Sequence, residues 1–172
     1  MKNISLQKAV IYFLILIAMF IIVLALLFWK FMSKDFKQIS LKPGFMKHNG
    51  GLLFRTISKD EYEFQATIKE SHLNSAGITH GGFIAAFVDA GAGTAAHKSA
   101  NQGTCVTISL ELKFISAIKL GQTLVGKTKI QKKTKSMVFL TCELTAEDKI
   151  VATASGVWKI LSKDISKISP NN

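Results

Sequence analysis

The sequence is short of the residues that mark several large classes of protein. Its 172 residues include two cysteines and two prolines, and Arg55 is the only arginine. Two cysteines make neither a disulfide framework nor a zinc-binding spacing, so no metal site is expected. The small number of prolines and the 48% hydrophobic content exclude a disordered or fibrous chain. The length is suited to about one domain of ordinary size.

The positive charge of the chain is carried by lysine. There are 22 basic and 11 acidic side chains, which gives a formal net charge of +11. A protein that reads nucleic acid is expected to use arginine for bidentate base contacts and to cluster its charge with aromatic residues. These lysines are mostly scattered, so nucleic-acid binding is not expected. An anionic membrane leaflet or an anionic small ligand suits the pattern better.

One apolar segment near the N-terminus explains the high mean hydropathy of +0.28. Residues 9–29 carry no charge, and as a helix they would extend roughly 32 Å, enough to cross a bilayer's hydrocarbon core. The run is longer than the apolar core of a signal peptide and lacks the small residues of a cleavage site. It predicts an uncleaved, single-pass transmembrane helix over residues 9–31, after a tail of residues 1–8. Lysine is more frequent after the run than before it, which predicts that the C-terminal domain is cytoplasmic.

The rest of the chain is predicted to form one α+β domain over residues 51–161, between a tether of residues 32–50 and a tail of residues 162–172. Alternating apolar and polar residues predict two strands, then a helix rich in alanine and glycine, then four strands. In the strand after the helix, Val106, Ile108 and Leu110 are expected to share one face. This order indicates an antiparallel sheet wrapped around a single helix. The predicted strands are 52–56, 61–69, 105–114, 124–131, 137–145 and 149–161, and the helix covers 83–97.

The residues that suggest chemistry lie between His72 and Asp89. Gly81 and Gly82 stand at the start of the predicted helix, where backbone N–H groups point outward with the positive end of the helix dipole behind them. Such a position is suited to stabilising an oxyanion. Asp89 lies two turns further along an apolar helix, where a carboxylate is costly without a partner or a function. From the residues alone, Asp89 is either functional, a surface residue or a partner of a lysine.

The spacing of these residues resembles a known family. An Asn six residues before the His of an HGG triplet, and an Asp nine residues after it, resemble the signature of the hotdog-fold acyl-CoA thioesterases of the phenylacetic-acid-pathway type. The resemblance covers about residues 52–161. It implies a hotdog fold and the hydrolysis of a fatty or aromatic acyl-CoA to the acid and free CoA, with no cofactor beyond the CoA of the substrate. The residues that carry it are Asn74, Gly77, His80, Gly81, Gly82 and Asp89.

The resemblance also implies roles for single residues. Asp89 would be the general base or the nucleophile, and the Gly81 N–H would polarise the thioester carbonyl. Asn74 would orient the carbonyl or the water, His80 would support the loop, and Thr107 would hold the water. The CoA portion would be held by Gly82, Phe114, Ser116, Lys119, Lys132, Lys133, Lys135 and Lys159.

The distance between Gly81 and Asp89 has a consequence for assembly. Eight residues of helix separate them by roughly 12 Å, too far for both to act on one carbonyl within one chain. We therefore expect a homodimer or homotetramer in which protomers share the site. Two alternatives remain open: a non-catalytic hotdog domain that binds acyl-CoA or an acyl lipid, and, less expected, an enoyl-CoA hydratase that would use Asp89 and His97.

Overall fold

The computed structural model describes residue 8, residues 11–24 and residues 35–162. The chain divides into two compact units, Met1–Asp35 and Phe36–Asn172. The predicted tails, residues 1–7 and 163–172, lie outside the described residues, as do residues 32–34 of the predicted tether.

In the first unit the described residues 11–24 form a helix, α1. Among the described residues, no helix has both the length and the apolarity needed to cross a membrane. The predictions of a transmembrane helix over residues 9–31, and of a single-pass membrane protein with a cytoplasmic C-terminal domain, are therefore wrong. Residues 9, 10 and 25–31 of that segment lie outside the described residues.

The described part of the second unit contains seven strands, a short helix and a long helix. The helices are α2, Phe45–His48, and α3, Gly81–Ser99. All neighbouring strands pair antiparallel, in the order β1-β2-β3-β5-β6-β7-β4. The strands are β1 Lys37–Ile39, β2 Leu52–Thr56, β3 Glu61–Thr67, β4 Cys105–Phe114, β5 Thr123–Lys133, β6 Met137–Ala146 and β7 Lys149–Ile160.

The six predicted strands and the predicted helix are all present, with ends that differ by no more than two residues. Strand β1 and helix α2 come from the segment predicted as a tether. Three residues are too few to show an alternating pattern, and β1 forms because Lys37 to Ile39 pair with the backbone of β2. It makes one edge of the sheet, and β4 makes the other.

Helix α3 packs against the concave face of the sheet through small residues. A Cβ atom on Gly91 would lie 2.3 Å from the ring of Phe64, and one on Gly126 of β5 would lie 2.5 Å from the same ring. Phe64 is fully buried and contacts the ring of Phe87 of α3, with ring centroids 4.8 Å apart. The close packing predicted from the alanine and glycine content is thus confirmed. An antiparallel sheet wrapped around one long helix is the hotdog fold, as the resemblance implied.

Strand β4 departs from the predicted alternation at one point. Its register with β7 shifts between Thr107 and Ser109, which is a β-bulge at Ile108. Thr107 is therefore paired with the buried Trp158, whereas Val106 is paired with the exposed Lys159. Bulges redirect side chains next to functional sites. Here the bulge places Thr107, rather than Val106, on the face of the sheet that carries the helix.

Candidate active site

The start of α3 is capped by His80. The His80 Nδ1 atom accepts a hydrogen bond of 2.8 Å from the backbone N–H of Gly82. A Cβ on Gly82 would lie 2.9 Å from the same nitrogen, so a larger residue there would displace the His80 ring from this capping position. The backbone N–H of Gly81 has no acceptor among the described residues. It is the group left to bind an anionic oxygen at the positive end of the helix.

The loop before the helix is folded around Asn74. Its Oδ1 atom accepts the backbone N–H groups of Ala76 and Ile78, at 2.9 and 3.3 Å. Gly77 donates its N–H to the Asn74 carbonyl at 3.0 Å and has a φ of 73°, a conformation that favours glycine. With Oδ1 engaged, the Asn74 carboxamide NH₂ has no acceptor among the described residues and remains a donor. The predicted spacing Asn-x-x-Gly therefore has a local cause.

A cleft of about 300 Å³ joins this loop to the turn after β4. Thr79 holds the two segments together, because its N–H and its hydroxyl both donate to the Ile118 carbonyl, at 2.8 and 2.9 Å. The lining is largely apolar and brings together four of the predicted site residues. Those four are Asn74, Gly81, Phe114 and Ser116, and the cleft is completed by Ile78, Thr79, Ile84, Ile115, Ala117 and Ile118.

Asp89 lies on the exposed side of α3 and contacts β4. The Thr107 hydroxyl donates to Asp89 Oδ1 at 2.6 Å, and both residues are exposed. No partner for the other carboxylate oxygen is found among the described residues. The structure thus joins two residues that were predicted to act together, and it leaves one carboxylate oxygen available to a ligand.

Within one chain, the two halves of the predicted site are separate. Gly81 and Asn74 lie in the cleft at the N-terminal end of α3, while Asp89 and Thr107 meet about 12 Å further along the helix. Strand β4 shows the same separation. Thr107, near the start of this strand, binds Asp89. Phe114, at its end, lies next to Gly81, because a Cβ on Gly81 would be 3.5 Å from the Phe114 ring.

The predicted CoA-binding lysines also fall into two groups. Lys119 lies just before β5, where its N–H donates to Gln122 Oε1 at 2.7 Å, beside the cleft. Lys132 and Lys133 end β5, roughly 33 Å away along the strand. The Lys133 ammonium donates to the Ser99 carbonyl at the C-terminal end of α3, at 2.8 Å. Lys135 follows in the β5–β6 turn, and Lys159 of β7 is paired with Met137 beside it.

His72 is a residue of the site that the sequence reasoning did not single out. Its ring is 2% exposed and stacks on Phe83 of α3, with centroids 3.7 Å apart. Nδ1 accepts the Lys69 N–H at 3.1 Å, which leaves Nε2 to donate to the Asn49 carbonyl at 3.0 Å. The His72 carbonyl accepts the N–H of His80 at 2.8 Å. No spacing in a single sequence distinguishes such a histidine from an exposed one.

The titratable residues do not suggest a metal centre in the part of the chain that the structure describes. There, no three His, Cys, Asp or Glu side chains come together in a way suited to holding an ion. Burial raises the pKa of Cys142 to about 12, so this thiol stays protonated. Cys105 donates to the Gly103 carbonyl at 3.4 Å, and burial raises its pKa as well.

The fold and this pair of half-sites define a hotdog-fold protein, and sequence comparison gives its family. The Thioesterase superfamily model matches residues 76–153. Putative esterase PA0474 of Pseudomonas aeruginosa is 33% identical over 94 residues, which cover 54% of this chain and 70% of that protein. The chain belongs to the Thioesterase superfamily, and the resemblance seen in the motif is confirmed.

A further relative agrees with this assignment, and a solved structure shares the fold. Mouse acyl-coenzyme A thioesterase 13 is 24% identical over 103 residues, or 60% of this chain and 74% of that protein. The crystal structure of zebra fish thioesterase superfamily member 2 superposes with a TM-score of 0.64 at 21% identity, over 70% of this chain and 88% of that one.

The surroundings of His72 predict a pH dependence of stability. Burial lowers the pKa of His72 below its ordinary value of 6.5. The unfolded chain therefore takes up this proton more readily, and the stabilising contribution is present above pH 6.5 and is lost as the pH falls towards the folded-state pKa. Protonation of Nδ1 would also remove the acceptor of the Lys69 N–H.

We expect His72→Gln to be less stable than the wild type at about pH 8, by about 1–3 kcal/mol. The difference between the two proteins should shrink on acidification. Urea unfolding at several pH values measures both effects. A difference that stays constant from about pH 8 to about pH 5.5 would contradict the assignment of this proton to His72.

Proposed function

We propose that this protein is an acyl-CoA thioesterase that hydrolyses a fatty or aromatic acyl-CoA to the acid and free CoA. Two features together carry the proposal. The Asp89 carboxylate is held by the Thr107 hydroxyl, and the Gly81 N–H at the helix start has no acceptor in the described part of the chain. The name of the mouse relative, an acyl-coenzyme A thioesterase, supports the choice of substrate.

In this reaction Asp89 acts as a general base. Thr107 occupies Oδ1, so Oδ2 takes a proton from water while the water oxygen forms a bond to the thioester carbon. The Gly81 N–H, with the Asn74 NH₂, stabilises the negative charge that develops on the carbonyl oxygen. The C–S bond then breaks, and the proton held by Asp89 passes to the sulfur of CoA. These steps need no resident cofactor.

A complete site requires a second copy of the chain. Strand β4 pairs with β7 on one side, and no described strand covers its other side. If β4 pairs antiparallel with β4 of a second copy about Leu110 and Glu111, Thr107 of one copy lies opposite Phe114 of the other. Because Thr107 binds Asp89 and Phe114 contacts Gly81, each carboxylate then meets the oxyanion donor of the other copy. We therefore propose a homodimer, on its own or within a tetramer.

The same two-fold arrangement explains the positions of the lysines. The two α3 helices run in opposite directions, with Asp89 of one copy next to Gly81 of the other. The C-terminal end of α3 of one copy therefore extends past the N-terminal end of α3 of the other. The Lys133 ammonium, which binds the Ser99 carbonyl at the C-terminal end of α3, is then on the same side of the shared site as Lys119 of the second copy, which lies beside the cleft. Lys132, Lys133, Lys135 and Lys159 of one copy and Lys119 of the other are the proposed partners of the CoA phosphates.

The two alternative functions are less well supported. In a hydratase, Asp89 and His97 would have to act on one substrate, but they lie about 12 Å apart along α3. His97 Nδ1 also donates to the Gly103 carbonyl at 2.9 Å. A domain that only binds acyl-CoA has no need of an exposed carboxylate oriented by Thr107.

Free-thiol release from a panel of acyl-CoA substrates tests the reaction. The wild type should release CoA, and Asp89→Asn should lower kcat by about 10²–10⁴-fold, because the amide cannot accept the proton from water. Glu143→Gln, which removes an exposed carboxylate on β6, two strands away from β4, is the control and should keep wild-type activity. Binding of CoA without release of thiol by the wild type would support the non-catalytic alternative instead.

The Gly81 N–H can be deleted with little change in the fold. His80 has a ψ of 132°, which a following proline requires, and the first position of a helix accepts proline well. We expect Gly81→Pro to lower kcat by about 10²–10³-fold, the cost of one oxyanion donor.

Gly81→Ala is the matched control for that variant. It adds a Cβ at an ordinary contact distance from Phe114 and keeps the N–H. It should retain most of the activity, and both variants should unfold at temperatures close to that of the wild type. Equal activity of the two variants would exclude the Gly81 N–H as the oxyanion donor.

Mixing inactive subunits tests whether the site is shared. Asp89→Ala and Asn74→Ala subunits, unfolded and refolded together, should form heterodimers with one intact site, so activity should return to roughly a quarter of the wild-type level. Each variant refolded alone is the control. Failure of the mixture to exceed the controls, with heterodimers shown to be present by mass spectrometry, would contradict a shared site.

A further inference from the structure

Trp158 of β7 is a buried residue that the mechanism so far does not use. Its side chain is 1% exposed, and it is directly paired with Thr107 across the β4–β7 ladder. Paired residues on neighbouring strands project from the same face of a sheet. Trp158 therefore lies beside the residue that binds Asp89.

The orientation of the indole is fixed at both of its ends. A Cβ on Gly156 would lie 2.5 Å from Cζ3, so the six-membered ring is packed over that glycine. A Cβ on Gly93 would lie 3.3 Å from Nε1, so the N–H edge points towards α3 at Gly93. Gly93 follows Asp89 by one helical turn, and side chains of a helix lean towards its N-terminus. Because Gly93 has no side chain, the indole N–H edge closely approaches the face of α3 that carries Asp89.

The indole N–H is a donor without a partner. No acceptor for Trp158 Nε1 is found among the described residues, and this nitrogen is not one of the fully enclosed side-chain atoms that lack a partner, so it keeps some accessible surface at which water can bind. Cys142 and Thr128, the polar residues elsewhere under the helix, belong to the β5–β6 pair. The donor therefore faces the side of α3 that carries Asp89.

We propose that Trp158 holds the hydrolytic water of the thioesterase reaction against Asp89; this rests on the function proposed above. The water oxygen accepts the indole N–H and the water donates one hydrogen to Asp89 Oδ2, which leaves a lone pair for the thioester carbon. As the C–O bond forms, that proton moves to Asp89, and it later passes to the sulfur as the C–S bond breaks. Trp158 keeps its own proton throughout. Thr107 then orients the carboxylate, and Trp158 orients the water.

The sharpest test removes the N–H without changing the shape of the side chain. Replacement of Trp158 by β-(3-benzothienyl)alanine puts a sulfur atom where Nε1 was. We expect kcat to fall roughly tenfold to hundredfold, the effect of one lost hydrogen bond to a reacting group, with KM and the unfolding temperature nearly unchanged. An unchanged kcat would overturn the proposal while leaving the thioesterase function in place.

Two substitutions by standard amino acids test the same hydrogen bond through kcat. Trp158→Phe and Trp158→His both make the side chain smaller, but only histidine keeps a ring N–H. Both should lose stability through the cavity they create. Higher kcat in Trp158→His than in Trp158→Phe is expected, and equal activity would count against the donor role.

A second readout does not depend on activity. In ¹⁵N-tryptophan-labelled protein, the indole signal of Trp158, assigned by its loss in Trp158→Phe, should shift in Asp89→Asn and should not shift in Glu143→Gln. If the wild type hydrolyses no acyl-CoA but the signal responds to Asp89→Asn, the proposed function fails and the contact with Asp89 stands. An indole signal whose chemical shift does not change in Asp89→Asn overturns the inference, whether or not the wild type hydrolyses acyl-CoA.

Discussion

The ring of Phe64 is the contact on which the geometry of the site depends. It is held between Gly91 of α3 and Gly126 of β5, where a single added methyl group on either glycine would overlap the ring. This close approach fixes the depth at which the helix lies in the sheet. Because α3 carries Gly81 at its start and Asp89 two turns later, the same contact sets the height of both groups above the sheet. A change of packing here would move the oxyanion donor and the base together.

Three other features each hold one part of the site in position. His72 stacks on the first turn of α3 and accepts the N–H of His80 through its carbonyl, so the start of the helix is tied to the preceding loop. Thr79 ties that loop to the turn after β4. The bulge in β4 turns Thr107 towards Asp89. Packing, the helix cap and the bulge at Ile108 thus fix most of the polar groups of the site. Among the described residues, the Gly81 N–H, the Asn74 NH₂ and one oxygen of Asp89 are left to bind a ligand.

Sequence reasoning predicted the parts of the fold that local patterns control. Alternation located the strands, and the small residues of the helix indicated close packing. It did not predict β1, which has three residues and depends on its partner strand, or the bulge at Ile108, which cancels the alternation that the prediction relied on. The membrane anchor was predicted from a long uncharged apolar run, but no helix among the described residues has the length and apolarity for that role. The position of Lys159 beside Met137 and the direction of Trp158 are not visible without the sheet register.

The two edges of the sheet differ greatly in length, and this difference decides what kind of assembly pairing through the edges can produce. Strand β1 offers three residues, while β4 offers ten. An edge that pairs with its own copy makes an isologous contact that closes after two subunits, whereas pairing of one edge with the opposite edge would continue without limit as a filament. The short β1 edge makes the second kind of contact weak. A strand that sequence patterns did not reveal therefore favours a finite assembly over an open-ended one.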